Sequence, residues 1–292
     1  RMGFAPREVG LVATLVRRHL LLPETATTRD LRDPATLRSV ASRVGDRETL
    51  ALLAALTRAD ARATSEKAWS SWRAGLVTEL VRRCEQLLDG RPPAVPRPPD
   101  LPVPDAVRRD RSACEVEVDR APGGATVRAW SGDRIGLLAD VAAALALERL
   151  PVRAARAWTR DRLGVSEWTV ESEQPDAAAL RRRLTAVADG RIDVRARLAG
   201  SQPDRLEPAV VVHRGASADA TAIEVRTQDR PDLVHLVLRT LAGLGLSVRS
   251  AHVRAVGPQA VGVVYVQDGG GLLAPERADA AAHALEAVLR AR

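Results

Sequence analysis

Two stretches decide how this chain reads: Ser131-Gly132-Asp133-Arg134-Ile135-Gly136-Leu137-Leu138 and Thr227-Gln228-Asp229-Arg230-Pro231-Asp232-Leu233-Val234. They lie 96 positions apart, and the same shift aligns residues 127–157 with 223–253 without a gap. Asp133, Arg134, Leu137, Val141, Leu145, Ala146, Leu150, Val152, Arg153 and Ala155 then meet Asp229, Arg230, Leu233, Val237, Leu241, Ala242, Leu246, Val248, Arg249 and Ala251. Ten identities in 31 positions, concentrated at apolar and turn sites, identify a duplicated structural unit.

Outward from the turns, each copy has the same grammar. A strand (125–130; 221–227) enters the turn, and an apolar-periodic helix follows (135–148; 231–244). A second strand (152–159; 248–256) turns back into a third (164–171; 260–267), and a helix closes the copy (176–189; 274–290). The order βαββα, completed by one more strand, is the split β-α-β plan of ferredoxin-like (βαββαβ) domains. The second copy ends on its helix, so its fourth strand is expected upstream, at Ala209–His213, with Ala113–Val118 in the same part of the first copy.

Each turn brings a strand end to a helix N-terminus, where unpaired N–H groups and the helix dipole favour a carboxylate. Asp133 and Asp229 can cap the helices, and Gly136 leaves a ligand room to approach the backbone. Asp232 takes the place of that glycine in the second copy. Its charge is expected to oppose an anionic ligand there.

Upstream, residues 1–89 read as helical. Val12, Leu15 and Val16 share a face with His19 in a first helix that Pro23 is expected to stop. Asp33-Pro34 reads as a cap with proline at the first turn. A third helix covers 47–63, with Leu53, Leu56 and Asp60 on one stripe, and a fourth starts after Thr64-Ser65 and carries Trp69, Trp72, Leu76 and Leu80. His19 and Asp60 are polar residues on apolar stripes: a hydrogen-bonded core histidine and an ion-paired acid, or two metal ligands. Residues 90–105 hold seven of the 18 prolines, a composition that favours a stiff extended linker.

Length and composition fit this division. The chain has 292 residues, 46% apolar and 28% charged, which describes a soluble globular protein of two or three domains. No apolar run approaches the roughly 20 residues that span a bilayer. Cys84 and Cys114 fit neither a disulfide framework nor a zinc motif and read as buried thiols in a reducing cytoplasm. The formal charge of +7 raises nucleic acid as a partner. Against it, the arginines are dispersed, lysine occurs once, and seven aromatics offer little base stacking.

The two turns resemble the hallmark of the ACT domain, a small-molecule-sensing module that pairs and holds an amino acid between its copies. The segments Leu15–Leu22, Thr25–Pro34 and Leu56–Thr64, followed by Trp69-Ser70-Ser71-Trp72, closely resemble one family. It is that of the bifunctional PII-protein uridylyltransferase/uridylyl-removing enzymes, bacterial nitrogen sensors. In that family a nucleotidyltransferase domain precedes a metal-dependent His-Asp (HD) phosphohydrolase domain, and two ACT domains follow. The resemblance implies an α+β chain. Its parts would be an all-helical remnant of an HD-type domain (1–89), a Pro-rich linker (90–105) and two ferredoxin-like ACT domains (106–200 and 201–292).

The same resemblance implies roles for residues. Asp133, Arg134, Ile135, Gly136, Leu137 and Leu138, with Asp229 and Arg230, would bind the amino acid. Asp60 matches the last metal-binding aspartate, and His19 matches the second of two histidines, with Arg18 in place of the first. The chain has no His-Asp dipeptide and lacks the nucleotidyltransferase motifs. It is therefore expected to be an inactive regulatory C-terminal portion of a cytoplasmic enzyme. Its implied associates are PII, glutamine as allosteric effector, and a divalent metal (Mg or Mn) in the full-length enzyme. ACT–ACT pairing would occur within or between chains. The alternative is a stand-alone amino-acid-binding ACT regulator whose helical part is an interaction module.

Overall fold

A computed structural model describes residues 3–65, 69–93, 97–121, 123–198 and 206–291. The chain divides into two compact units, Arg1–Pro96 and Arg97–Arg292. The junction expected between two ACT domains at 200/201 lies outside the described residues.

The first unit is helical: α1 (Pro6–Arg18), α2 (Leu21–Thr28), α3 (Pro34–Val44), α4 (Arg47–Thr64) and α5 (Ser71–Leu88). Its core gathers Leu22, Leu37, Val40, Leu50, Leu53, Val77, Leu80 and Cys84. Burial pushes the Cys84 thiol up to about 12, so it stays protonated and inert. Asp33 caps α3 as expected, accepting from the Ala35 N–H at 2.8 Å, and Asp46 caps α4 through the Thr49 N–H at 2.8 Å.

Four sequence expectations need correction here. Pro23 does not stop α1, which ends at Arg18; it lies in the first turn of α2, where its missing N–H has no intrahelical acceptor to lose. Of the α1 stripe, only Leu15 packs against the core, while Val12 and Val16 are exposed, and His19 is exposed too. Asp60 is also exposed, because α4 leaves the core after Thr57 and its last turns carry no buried residue. The helix expected to begin after Ser65 starts at Ser71 behind an Ser70 cap, so Trp69 precedes it.

The second unit comprises α6 (Asp105–Arg109), β1 (Glu115–Ala121), β2 (Gly124–Gly132), α7 (Leu137–Leu147), β3 (Val152–Arg160), β4 (Leu163–Val170), α8 (Ala177–Ala188) and α9 (Val194–Leu198). The second copy adds β5 (Ala209–His213), β6 (Thr221–Gln228), α10 (Leu233–Gly243), β7 (Ser247–Val256), β8 (Gln259–Gln267) and α11 (Pro275–Arg290). All eight strands form one antiparallel sheet in the order β1-β2-β4-β3-β7-β8-β6-β5. The fourth strand of each copy is thus first in sequence, ββαββα, at the upstream positions expected for it, so the βαββαβ plan is completed from the N-terminal side. Pairing explains this: the place beside β2 or β6 is filled equally well by a strand arriving from upstream.

The copies join edge to edge. Ala155 pairs with Ala251, Ala154 with His252 and Arg156 with Ser250. Ala155 and Ala251 are equivalent positions in the repeat, so a pseudo-twofold axis passes between them. Helices α8, α7, α10 and α11 line up over one face. Helix α7 is apolar nearly all round, with nine buried residues, because it is flanked by α8 and α10 as well as the sheet. At the axis the His235 Nδ1–H donates to the Ala139 carbonyl at 2.8 Å, again between equivalent positions. One core runs through both copies, from Leu145, Trp168 and Leu184 to Leu241, Val264 and Leu285. On the opposite sheet face, Leu101 and Val103 of the proline-rich stretch pack against Val107, Trp130, Leu163 and Val165.

Candidate functional site

Two clefts flank the pseudo-twofold axis, and each is built from both copies. The first, about 470 Å³, has Asp133–Ala139 of the first turn on one side and Leu246–Arg249 of the second copy on the other. The second, about 650 Å³, has Asp229–Pro231, Leu233 and Val234 facing Arg149–Val152 of the first copy. All eight residues expected to bind a ligand therefore line a cleft: Asp133, Arg134, Ile135, Gly136, Leu137 and Leu138 in one, Asp229 and Arg230 in the other.

In the first cleft, β2 ends at Gly132 and the chain turns into α7. Gly136, not Asp133 as expected, holds the N-cap position, with φ +94°, a left-handed conformation that glycine adopts without strain. Asp133 and Asp229 each lie three residues ahead of the cap position, and no side chain caps α7 or α10. A Cβ there would meet only Arg134 Nη1 at 3.7 Å and Ala242 Cβ at 3.9 Å, so it would stand in the cleft rather than against a wall. The Asp133 carboxylate accepts from the Thr159 hydroxyl at 2.6 Å, and its backbone N–H donates to the Arg162 carbonyl at 3.1 Å. The guanidinium of Arg134 is drawn back onto Asp140, a carboxylate buried at the start of α7. Gly164 closes the floor: a Cβ on it would come within 2.6 Å of Leu137 Cδ2.

The second cleft repeats this plan with different side chains. The Asp229 N–H donates to the Pro258 carbonyl at 2.9 Å, matching Asp133. The position of Thr159 is taken by Ala255, so Asp229 has no hydroxyl there. Burial, reinforced by the negative charge of Glu171, holds the Asp229 carboxyl above the ordinary carboxylate range. The counterpart of Glu171 in the first cleft is the neutral Gln267. Asp232 corrects the expectation placed on it. It sits at the α10 N-cap with φ −89°, is 4% exposed, pairs with Arg230 at 3.1 Å, and does not line the cleft.

The far walls escaped the sequence reading. Leu246, Val248 and Arg249 line the first cleft, and Leu150 and Val152 line the second. These were visible as repeat identities, but nothing in the sequence said that each copy would wall the other copy's turn. Arg249 and its equivalent Arg153 both sit at β-bulges, where β7 and β3 slip register against β8 and β4. Arg249 then pairs with Asp219 and lies 5.2 Å from the Tyr265 ring centroid.

The metal expectation finds no such assembly. His19 Nδ1 lies 2.8 Å from the Val16 carbonyl oxygen, and Asp60 is exposed. Among the described residues no three His, Cys, Asp or Glu side chains stand close enough to hold a metal ion.

The fold and the paired clefts define an α+β protein whose duplicated ferredoxin-like sheet is consistent with two ACT-like domains. Comparison with known proteins names its relatives. The chain is 37% identical to the bifunctional uridylyltransferase/uridylyl-removing enzyme of Streptomyces coelicolor, with 99% of this chain and 42% of that protein aligned. It is 33% identical to the enzyme of the same name from Mycobacterium tuberculosis, over 91% of this chain and 36% of the relative, and 30% identical to that of Gluconobacter oxydans, over 92% and 35%. The chain is a homologue of a C-terminal portion of these enzymes and spans about two fifths of their length. No family model matches it. A crystal structure of an unknown protein from Galdieria sulphuraria overlaps 56% of this chain and 89% of its own, at 15% identity and a TM-score of 0.19.

Proposed function

We propose that this chain is the glutamine-sensing regulatory segment of an enzyme that uridylylates and deuridylylates the nitrogen-regulatory protein PII. The observation that carries the reading is the construction of each cleft from both copies: a ligand held there touches both ACT-like units and favours one arrangement of them. Its carboxylate would meet the backbone N–H groups after Asp133, at the N-terminus of α7, where Gly136 permits close approach. Its α-amino group would face the Asp133 carboxylate. Glutamine can bias the enzyme only by its difference in affinity between the two arrangements.

The Asp133 cleft is the stronger site in this reading. Asp133 is already satisfied by Thr159, whereas Asp229 has no hydroxyl at that place and is crowded by Glu171. PII as protein substrate, and magnesium or manganese as the metal, belong to the same proposal for the longer enzyme. His19 and Asp60 supply two donors at most, and a hydrolytic centre needs more around an activated water. No step of the reading therefore runs through a metal on this chain. Among the described residues no helix is long and apolar enough to cross a membrane; the proposed compartment is the cytoplasm.

Calorimetry with glutamine on the 292-residue chain tests the proposal. Saturable binding that is lost in Gly136→Asp supports it. Absence of any glutamine heat, with the chain folded by circular dichroism, overturns it.

A further inference from the structure

Four positions on the paired helices α7 and α10 break the duplication, each by placing a polar residue where the other copy is apolar. His235, Arg239 and Thr240 stand where the first copy has Ala139, Ala143 and Ala144, and Asp140 stands where the second has Leu236. The three alanines and Leu236 are buried, so these positions belong to the helix-packing pattern rather than to a freely varying surface. All four polar residues line one cavity of about 540 Å³, on the helix-covered side of the sheet, which shares no lining residue with either cleft. Val187, Ile192, Leu236 and Val288 supply apolar wall, and Arg195 adds a further charge.

The lining holds two carboxylates and two guanidinium groups, and Arg134 from outside it tips the balance to one positive charge. Asp140 is taken up by Arg134, and the Asp193 carboxylate accepts from the Ala196 N–H at 3.0 Å. Arg195 and Arg239 have no ion-pair partner among the described residues. His235 is anchored through Nδ1 to the Ala139 carbonyl, which fixes its ring at the cavity wall. Two guanidinium groups beside an apolar recess match a planar carboxylate on an apolar body, since each fork can donate two parallel hydrogen bonds. The volume falls within the roughly 300–1,000 Å³ typical of small-molecule sites.

We propose that this cavity binds a small carboxylic acid with an apolar body, its carboxylate between Arg195 and Arg239 and its body against Val187, Ile192, Leu236 and Val288. The site is independent of the glutamine reading and stands or falls separately from it.

Benzoate is the probe, titrated calorimetrically into the 292-residue chain with inorganic phosphate run beside it. Benzoate should bind, and Arg239→Ala and Arg195→Ala, both at exposed positions, should each weaken it at least tenfold. The triple change His235→Ala, Arg239→Ala, Thr240→Ala installs residues that the first copy already packs, and should abolish binding while the unfolding midpoint moves little. Failure of the wild-type chain to bind benzoate overturns the proposal. So does undiminished binding by both single arginine variants, or binding of phosphate without benzoate, which would mark a simple anion site with no use for the apolar wall.

Discussion

The cleft at Asp133 and the cleft at Asp229 are assembled from the same parts in exchanged order, yet three positions give them different chemistry. Thr159 in one is Ala255 in the other, Gln267 is Glu171, and Gly136 is Asp232. The first cleft has one carboxylate, satisfied by a hydroxyl, and the second has two that repel each other. What survived duplication is the backbone frame: the pairing at the axis, the bulges at Arg153 and Arg249, and the carbonyl that receives the aspartate N–H. Packing holds those features, because shifting one would disturb the shared core. A single polar side chain on a cleft wall is under no such constraint.

Variants at four positions break or sharpen this contrast, beginning with the largest effect. Asp232→Ala removes one partner of a nearly buried ion pair and leaves Arg230 without it. It should cost about 3 kcal/mol in urea unfolding. If Asp232 instead faced an incoming ligand, the change would strengthen glutamine binding and leave stability alone.

Gly136→Asp copies the second turn into the first. It forces an L-residue to φ +94° and puts a charge where the ligand carboxylate is proposed to sit. A loss of more than about a hundredfold in glutamine affinity, roughly 2.7 kcal/mol, is expected by calorimetry. Gly136→Ala carries the strain without the charge and should lose less; equal losses would assign the whole effect to backbone geometry.

Thr159→Ala removes the hydroxyl that Asp133 has and Asp229 lacks. Loss of one hydrogen bond to a carboxylate is worth about 1.5 kcal/mol, so glutamine affinity should fall by roughly tenfold.

The smallest effect is that of Asp229→Asn. A carboxyl whose folded-state pKa is raised contributes stability that is fully present below its unfolded pKa and lost as pH rises through the folded pKa. Asparagine mimics the protonated form. The variant should therefore match wild type in acid and melt slightly higher near pH 7, and a variant that melts lower at pH 7 would contradict the crowding of Asp229 by Glu171.

The helical unit and the repeats also differ in how far local pattern could be trusted. In the repeats, strands and helices fall close to the expected bounds, because period-two and helical spacings are reinforced by a second copy at the same offset. In the helical unit the stripes did not say where burial begins or ends: of the α1 stripe only Leu15 packs, and Asp60 continues the Leu53 and Thr57 face but lies past the last buried residue of α4. Periodicity reports which way a residue points and carries no information on whether anything stands opposite. The same gap hid the clefts' far walls, since Leu246 and Val248 are ordinary strand and turn residues until β7 lies beside β3.

Sequence alone determined the duplication, the α+β class, the upstream fourth strand, the Asp33 cap of α3 and the place of the two turns, all of which rest on contacts within some thirty residues or on repetition that can be counted. It also carried the family resemblance. Tertiary structure alone decided that the copies join through β3 and β7 into one sheet, that each turn is walled by the other copy, and that Asp232 is spent on Arg230 rather than on a ligand. Those outcomes depend on which edges meet and in what register. Edge strands carry backbone donors and acceptors that pair with many partners, and only the fit of the whole core selects one.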